Sequence, residues 1–373
     1  MNSTPLRIGI QQRVLPAYRA EFFDLLAEAY EGNLAVFSGH ARPDEALGEL
    51  ADLKIASQVQ ADNWHLFQGS TYLCYQHGIL NWLQNWDPQV LILEANPRYP
   101  STIPAVSWMH RRRRPVIGWG LGVSSASNKR STIPNNLRAA FLKQFDYLIT
   151  YSEQGKKEYQ ALGLEAQRIF VAPNSVARKP LYPLPYRDEK SYRDGKPVLL
   201  FVGRLQARKR LEYLFKACAS LPEEIQPHIW IVGDGPEREF FEVVASALYA
   251  DVTFYGPVYG IDLVPFFKQA DLFVLPGTGG LAVQQAMAYG LPVMVGQADG
   301  TQSILVRQKN GWILPGDADE HVFVNLLSDA LSDLPRLRKM GVESFRIVQE
   351  EVNVERMVEV FQQAITTAYG KTL

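Results

Sequence analysis

Short apolar runs alternate with longer stretches in which apolar residues recur every three or four positions. The first pattern predicts buried strands and the second amphipathic helices. In the first half, strands are expected at Leu6–Ile10, Leu34–Phe37, Val90–Glu94, Val116–Trp119, Tyr147–Thr150 and Ile169–Val171. Helices are expected between them near Arg19–Tyr30, Ser70–Trp86, Thr102–His110, Asn135–Phe145 and Glu153–Leu162. The second half repeats the scheme. Its strands are expected at Val198–Val202, Ile229–Val232, Val252–Tyr255, Leu272–Leu275, Val293–Val295 and Trp312–Leu314. Its helices fall near Arg208–Ala219, Pro236–Leu248, Ile261–Lys268, Ala282–Tyr289 and Glu320–Leu331. Strands separated by helices of this length are βαβ units, which make a parallel sheet covered on both faces.

Between the halves, Arg178–Pro197 is rich in proline and charge and reads as a linker between separate cores. The fold class is therefore α/β: two doubly wound, Rossmann-like domains, one over residues 1–178 and one over 195–350. Ligands of such sheets collect at the carboxyl ends of the strands.

Composition narrows the function. The 373 residues are 47% hydrophobic, enough for two full cores. Lys plus Arg (38) against Asp plus Glu (39) leaves a net charge of -1, which argues against a general nucleic-acid binder. Cys74 and Cys218 lie in helix-like stretches without metal or redox spacing and read as buried packing residues. Met1–Pro5 runs into a strand-like segment without an apolar signal core, and no stretch approaches a membrane span. A cytoplasmic location is expected.

Three segments of the second half carry candidate chemistry. After its first strand, Gly203 precedes Arg204 and Lys209, two cations bracketing a helix start. Helix N-termini attract anions, and such a pair can clamp a diphosphate; an ordinary solvated surface is the alternative. Gly233-Asp234-Gly235-Pro236 follows the next strand and opens a helix, either as an ordinary βα turn or as a ligand-facing one. The third segment ends a buried strand at Pro276, then places Gly277, Thr278, Gly279 and Gly280 before a small-residue helix from Leu281. Unpaired N–H groups and the helix dipole make such a loop a phosphate cradle. It lacks the Lys-Ser/Thr of a nucleotide-triphosphate loop and the spacing of a dinucleotide fingerprint.

In this order and spacing, Phe201-Val-Gly-Arg-Leu205 with Lys209, Gly233–Pro236, Val252–Pro257, Ala270–Pro276 and Ala286–Val293 resemble retaining glycosyltransferases of family 4. The resemblance covers residues 195–345 and implies the GT-B fold, two Rossmann-like domains facing a central cleft. Tyr151–Tyr159 and Val171–Val176 resemble the family's segment before its hinge, and Asn353–Ala368 its last helix, which returns to the first domain. The resemblance implies that Arg204 and Lys209 neutralise the diphosphate of a UDP- or GDP-linked sugar. It further implies backbone donors at Gly279, Gly280 and Leu281, and a nucleoside pocket lined by Gly233–Pro236, Tyr255, Pro257, Val258 and Tyr259. The implied reaction is metal-independent transfer to a hydroxyl of a glycan, lipid-linked or other acceptor, with no cofactor. The one Asp-x-Asp, Asp317-Ala-Asp319, reads as a helix cap rather than a cation site.

The chain departs from the family where two glutamates are usual. Gly277 and Gln285 stand there, with Thr278 as the neighbour able to replace a sugar contact. A nucleotide-sugar-binding protein without catalysis is the alternative this raises. Leu121 also stands where many members place a histidine, and none of the six histidines can be named as a base.

On the acceptor side, the candidate lining is the loop Gln11–Arg19 with Tyr18 and Arg19, then Glu94 to Arg98, then Trp119 and Gly120. Each lies at the carboxyl end of an expected strand. Glu94 is the carboxylate of interest, with a cap or pairing to Arg98 as its ordinary role. Arg111–Arg114 end an apolar helix, as a solvated turn or as a peripheral contact with anionic lipid or a phosphate-bearing acceptor; Trp82, Trp86 and Trp108 read as core or as part of that face.

Overall fold

A computed structural model describes residues 6–42, 45, 51–122, 133–192, 195–297, 302–316 and 319–371. Met1–Pro5 and Asp317 lie outside these residues. The chain forms two compact units, residues 1–176 with 354–373, and residues 177–353. Among the described residues no helix is long and apolar enough to cross a membrane.

In the first unit the chain runs β1 (Ile8–Val14), α1 (Ala20–Glu28), β2 (Leu34–Gly39), β3 (Ser57–Gln60), β4 (Asp62–Leu66), β5 (Leu73–His77), α2 (Ile79–Trp86), β6 (Val90–Glu94), α3 (Thr102–His110), β7 (Val116–Gly120), α4 (Asn135–Leu142), β8 (Tyr147–Thr150), α5 (Glu153–Ala161) and β9 (Ile169–Val171). Seven strands form one sheet in the order β3-β2-β1-β6-β7-β8-β9, every neighbouring pair parallel. Successive side chains of a strand face opposite ways. Val90 and Ile92 accordingly enter one core and Leu91 and Leu93 the other.

The second unit runs β10 (Val198–Val202), α6 (Leu211–Ala219), β11 (His228–Val232), α7 (Arg238–Leu248), β12 (Val252–Gly256), α8 (Val264–Gln269), β13 (Leu272–Leu275), α9 (Leu281–Ala288), β14 (Val293–Gly296), α10 (Gln302–Leu305), β15 (Gly311–Leu314), α11 (Glu320–Ser332) and α12 (Leu334–Glu350). Its six strands are ordered β12-β11-β10-β13-β14-β15. The last helix, α13 (Val354–Gly370), packs in the first unit. Its stripe Met357, Phe361, Ala364 and Ala368 recurs at helical spacing in the core that contains Phe22 and Trp119. Each sheet has a switch point, β1 beside β6 and β10 beside β13, where strand order leaves the sequence order and a ligand crevice is expected.

Several expectations differ from the structure. Ser70–Trp86 is not one helix: a 3-10 turn at Gly69–Thr71, strand β5 and helix α2 replace it. Gly78 at φ 84 makes the break. Cys74 therefore sits on a strand, buried as expected, while Cys218 lies in α6 and is also buried. β3 and β4 were not expected, because their exposed, mostly polar residues carry little apolar alternation. The first strand starts later and runs to Val14. Asp319 caps α11 by accepting from the Val322 N–H.

Arg178–Pro197 is not a free linker but is fastened to the second unit. The Tyr182 hydroxyl donates to the Ala288 carbonyl, and its ring stacks on Tyr289. The Arg187 guanidinium donates to the carbonyls of Phe267, Ala270, Tyr289 and Gly290. Tyr192 donates to Leu331.

Candidate active site

At the switch point of the second unit, two turns lie backbone against backbone. The Gly203 N–H donates to the Val232 carbonyl, the Leu205 N–H to Asp234 and the Gly233 N–H to Gly256. A Cβ on Gly235 would lie 2.7 Å from the Leu205 nitrogen, so the turn after β11 requires glycine there. Gly203, Gly233, Gly235 and Gly256 thereby fix the ends of β10, β11 and β12 as one surface. Asp234 accepts from the Gly235 N–H at 2.8 Å, and Arg238 pairs with Glu242 at 2.8 Å. α7 begins at Arg238, two residues beyond Pro236. Past β12, Tyr255 packs edge-on against Trp230 and Phe266, Val258 is partly buried, and Pro257 and Tyr259 are exposed.

The third turn locks onto the first. A Cβ on Gly277 would lie 2.7 Å from the Lys209 Cα, because the backbone of Arg208 and Lys209 already fills that space. This is the physical reason a glutamate has no room at position 277. The same approach lets the Thr278 N–H donate to the Arg208 carbonyl at 3.1 Å. The Lys209 ammonium returns a hydrogen bond to the Thr278 carbonyl at 2.9 Å, and Arg208 reaches the same carbonyl at 3.2 Å. Gly279 and Gly280 adopt φ 101 and 144. At the start of α9 the N–H groups of Gly279, Gly280 and Leu281 have no acceptor within the helix.

Lys209 is only 6% exposed, yet no carboxylate pairs with it among the described residues. Burial, and then the nearby Arg208 charge, push its ammonium down to about 8 from 10.5. A buried cation beside a like charge and open N–H dipoles makes a local environment that favours negative charge. Arg204 is exposed and has no side-chain partner among the described residues. The structure thus brings Lys209 and Gly279–Leu281 together as the sequence expected, and adds Arg208, which it did not. Gln285 is half-buried and makes no side-chain hydrogen bond among the described residues. Its neighbour Gln284, also unforeseen, is buried and fastens both ends of this unit. It accepts from the Ala177 N–H and donates to the Val352 carbonyl. A glutamine in a small-residue helix gives no sign of that in the sequence.

In the first unit, Glu94 ends β6 and accepts from the Arg13 N–H at 2.9 Å, while its own N–H donates to Gln11. Burial pushes its carboxyl up to about 7 from 4.5, against the opposing charges of Arg13 and Arg19. It does not pair with Arg98, which donates to Asn96 and Ser70 instead. Beneath it, Gln11 hydrogen-bonds Gln76, which in turn donates to Gln12 and Asn63. Arg19 is 5% exposed, with its guanidinium over the rings of Tyr18, Trp119 and Tyr151. It donates to the Tyr151 hydroxyl at 3.2 Å and to the Met357 sulfur at 3.8 Å. Gly120 ends β7, where a Cβ would lie 2.7 Å from the Tyr159 hydroxyl. Trp82 and Trp108 are buried, and Trp86 donates to the Ile8 carbonyl, so these three belong to the core.

Residues 185–345 match the family of glycosyl transferases group 1. An uncharacterized glycosyltransferase of Methanocaldococcus jannaschii is 33% identical over 140 residues, 36% of this chain and 36% of that protein. A GDP-mannose-dependent alpha-mannosyltransferase of Mycobacterium tuberculosis is 33% identical over 183 residues, 48% of this chain and 43% of that protein. The chain thus spans less than half the length of these curated relatives. The structure of Anabaena Alr3699/HepE in complex with UDP is similar over 97% of this chain and 100% of that one, at TM-score 0.70 and 15% identity. The chain therefore has the GT-B fold, and its residues 185–345 are similar to the glycosyl transferases group 1.

Proposed function

We propose that this chain moves a sugar, with retained anomeric configuration and without a metal, from a nucleoside diphosphate to a hydroxyl of a glycan or lipid-linked acceptor. The observation that carries the reading is Lys209: a buried ammonium with no carboxylate among the described residues, held against the Gly277–Gly280 loop beside Arg208. A relative's name specifies GDP-mannose and a structural neighbour holds UDP, which supports this donor class for the second unit.

As the bond from the anomeric carbon to the diphosphate breaks, its electron pair passes to the leaving phosphate. Lys209, Arg204 and Arg208, with the N–H groups of Gly279, Gly280 and Leu281, stabilise that charge. One such preorganised donor is worth about 3–4 kcal/mol. The acceptor oxygen attacks on the face the phosphate leaves, and its proton passes to a phosphate oxygen. Pro257, Val258, Tyr255 and Tyr259 line the nucleoside, and Thr278 and Gln285 offer uncharged contacts to sugar and ribose hydroxyls. In the first unit Glu94, near its midpoint at neutral pH, holds the acceptor hydroxyl. We place the reaction in the cytoplasm, with an acceptor that brings the chain to a membrane surface.

The test is a melting-temperature screen of UDP, GDP and their common sugars, followed by nuclear magnetic resonance of the product's anomeric centre. A stabilising nucleotide and a product with the donor's configuration are expected. No stabilisation by any nucleotide rejects the donor site, and an inverted product rejects the mechanism.

A further inference from the structure

The opposite edge of the first sheet carries a second basic site. A cavity of about 620 Å³ opens at the amino ends of β7 and β8, lined by His110, Arg113, Arg114, Asp146, Arg168 and Lys371 among others. A five-residue strand is about 17 Å long, so this cavity is a full strand away from Glu94 and Trp119. It belongs to a different site.

The charges in the cavity are unequally committed. Arg114 is spent on Asp87 and the Pro88 carbonyl, and Arg168 on the carbonyls of Phe145 and Asp146. Asp146, the carboxylate of the lining, accepts from the Val116 N–H at 2.7 Å and from His110 at 3.1 Å. Arg113 has no side-chain partner among the described residues. Among the described residues Lys371 has only the face of the Tyr147 ring, 5.5 Å away. The wall contains a second anomaly. Tyr147 is 4% exposed, and its buried hydroxyl has no hydrogen-bond partner among the described residues. Such a group is costly to leave unpaired unless something satisfies it. Arg113 also holds φ 55, a conformation that favours glycine at a helix end, so its side chain is kept there at a cost.

We propose that this cavity binds a phosphate group, with Arg113 and Lys371 as its cations and the Tyr147 hydroxyl as a neutral donor. An arginine fork and an ammonium suit a phosphate's several oxygens and its charge. The group comes either from a soluble phosphate compound or from an anionic lipid headgroup.

The inference is independent of the donor assignment, and the experiment keeps the two apart. Pyrophosphate binding to the full chain is measured by calorimetry in the Lys209→Ala background, where the donor site is disabled. Binding is expected to persist there and to weaken about tenfold or more in Arg113→Ala/Lys371→Ala. Tyr147→Phe should weaken it less while preserving the fold. With Lys209 restored, the double variant should bind UDP as the parent chain does, which shows that it is folded. In parallel, sedimentation with phosphatidylcholine vesicles, with and without phosphatidylglycerol, identifies the source. Capture by the anionic vesicles alone, lost in the double variant, supports a headgroup; pyrophosphate binding without capture supports a soluble compound. Pyrophosphate binding that vanishes with Lys209→Ala, joined to vesicle capture that is absent or unchanged in the double variant, overturns the site.

Discussion

Each unit buries a cation beside its switch point that forms no ion pair among the described residues, and the two are stabilised in opposite ways. Arg19 lies among three aromatic rings, a hydroxyl and a thioether, so soft faces on several sides take up its charge. Lys209 has one carbonyl and a repelling arginine. A guanidinium is weakly hydrated and stacks well, whereas an ammonium is a compact charge that burial penalises heavily. The comparison teaches that a buried cation indicates a ligand only when its neighbours leave it under-satisfied. Arg19 is built into the first unit, whereas the under-satisfied Lys209 is what the proposed donor site rests on.

The sharpest way to break this comparison is to remove each cation. Lys209→Ala should lower donor affinity and turnover together by roughly two to three powers of ten, the range for loss of one preorganised charge donor. Its thermal stability without nucleotide should hold or rise slightly, because an uncompensated buried charge disappears. Steady-state kinetics and melting curves read both quantities. Unchanged donor affinity would return Lys209 to a merely structural role.

Arg19→Met should behave in the reverse sense. Losing the cation–π contacts and the bond to Tyr151 should cost about 2–3 kcal/mol of stability in the first unit. The UDP-induced melting shift should remain. Hydrogen exchange localises the loss, which should appear in β1, β7 and α13. A variant with native protection but no acceptor turnover would move Arg19 from the fold to the reaction.

The contrast also explains what could be read from the chain beforehand. Both sheets were legible because doubly buried strands such as Val90–Leu93 and Leu272–Leu275 are unbroken apolar runs. The hairpin of β4 and β5 was not, since Asp62–Leu66 is largely polar and exposed, and Leu73–His77 runs close to the α2 pattern. Lys209 and the glycines after β13 could be found because phosphate chemistry needs cations and small residues near strand ends. Arg208 could not be told from a surface residue, since its role depends on Thr278 seventy positions away. Arg19 was assigned to the acceptor because its loop position was visible. Its aromatic partners, brought in from β7 and the segment before α5, were not.

The smallest effect is set by protons, and it tests the under-satisfied state of Lys209 without any mutation. With its folded value at about 8 and its ordinary value at 10.5, Lys209 binds fewer protons in the folded chain across that interval. Stability of the second unit should therefore rise with pH between those values as the cost of burying the charge is relieved. Donor binding has the opposite sign. A diphosphate needs the ammonium, so above about pH 8 each binding event must take up a proton, and affinity should fall by up to about tenfold per pH unit. Calorimetric titration of UDP from about pH 7 to about pH 9, in two buffers of different ionisation enthalpy, measures affinity and proton uptake together. A flat affinity with no proton uptake would mean that the ammonium never meets the diphosphate, and the distinction between the two buried cations would collapse.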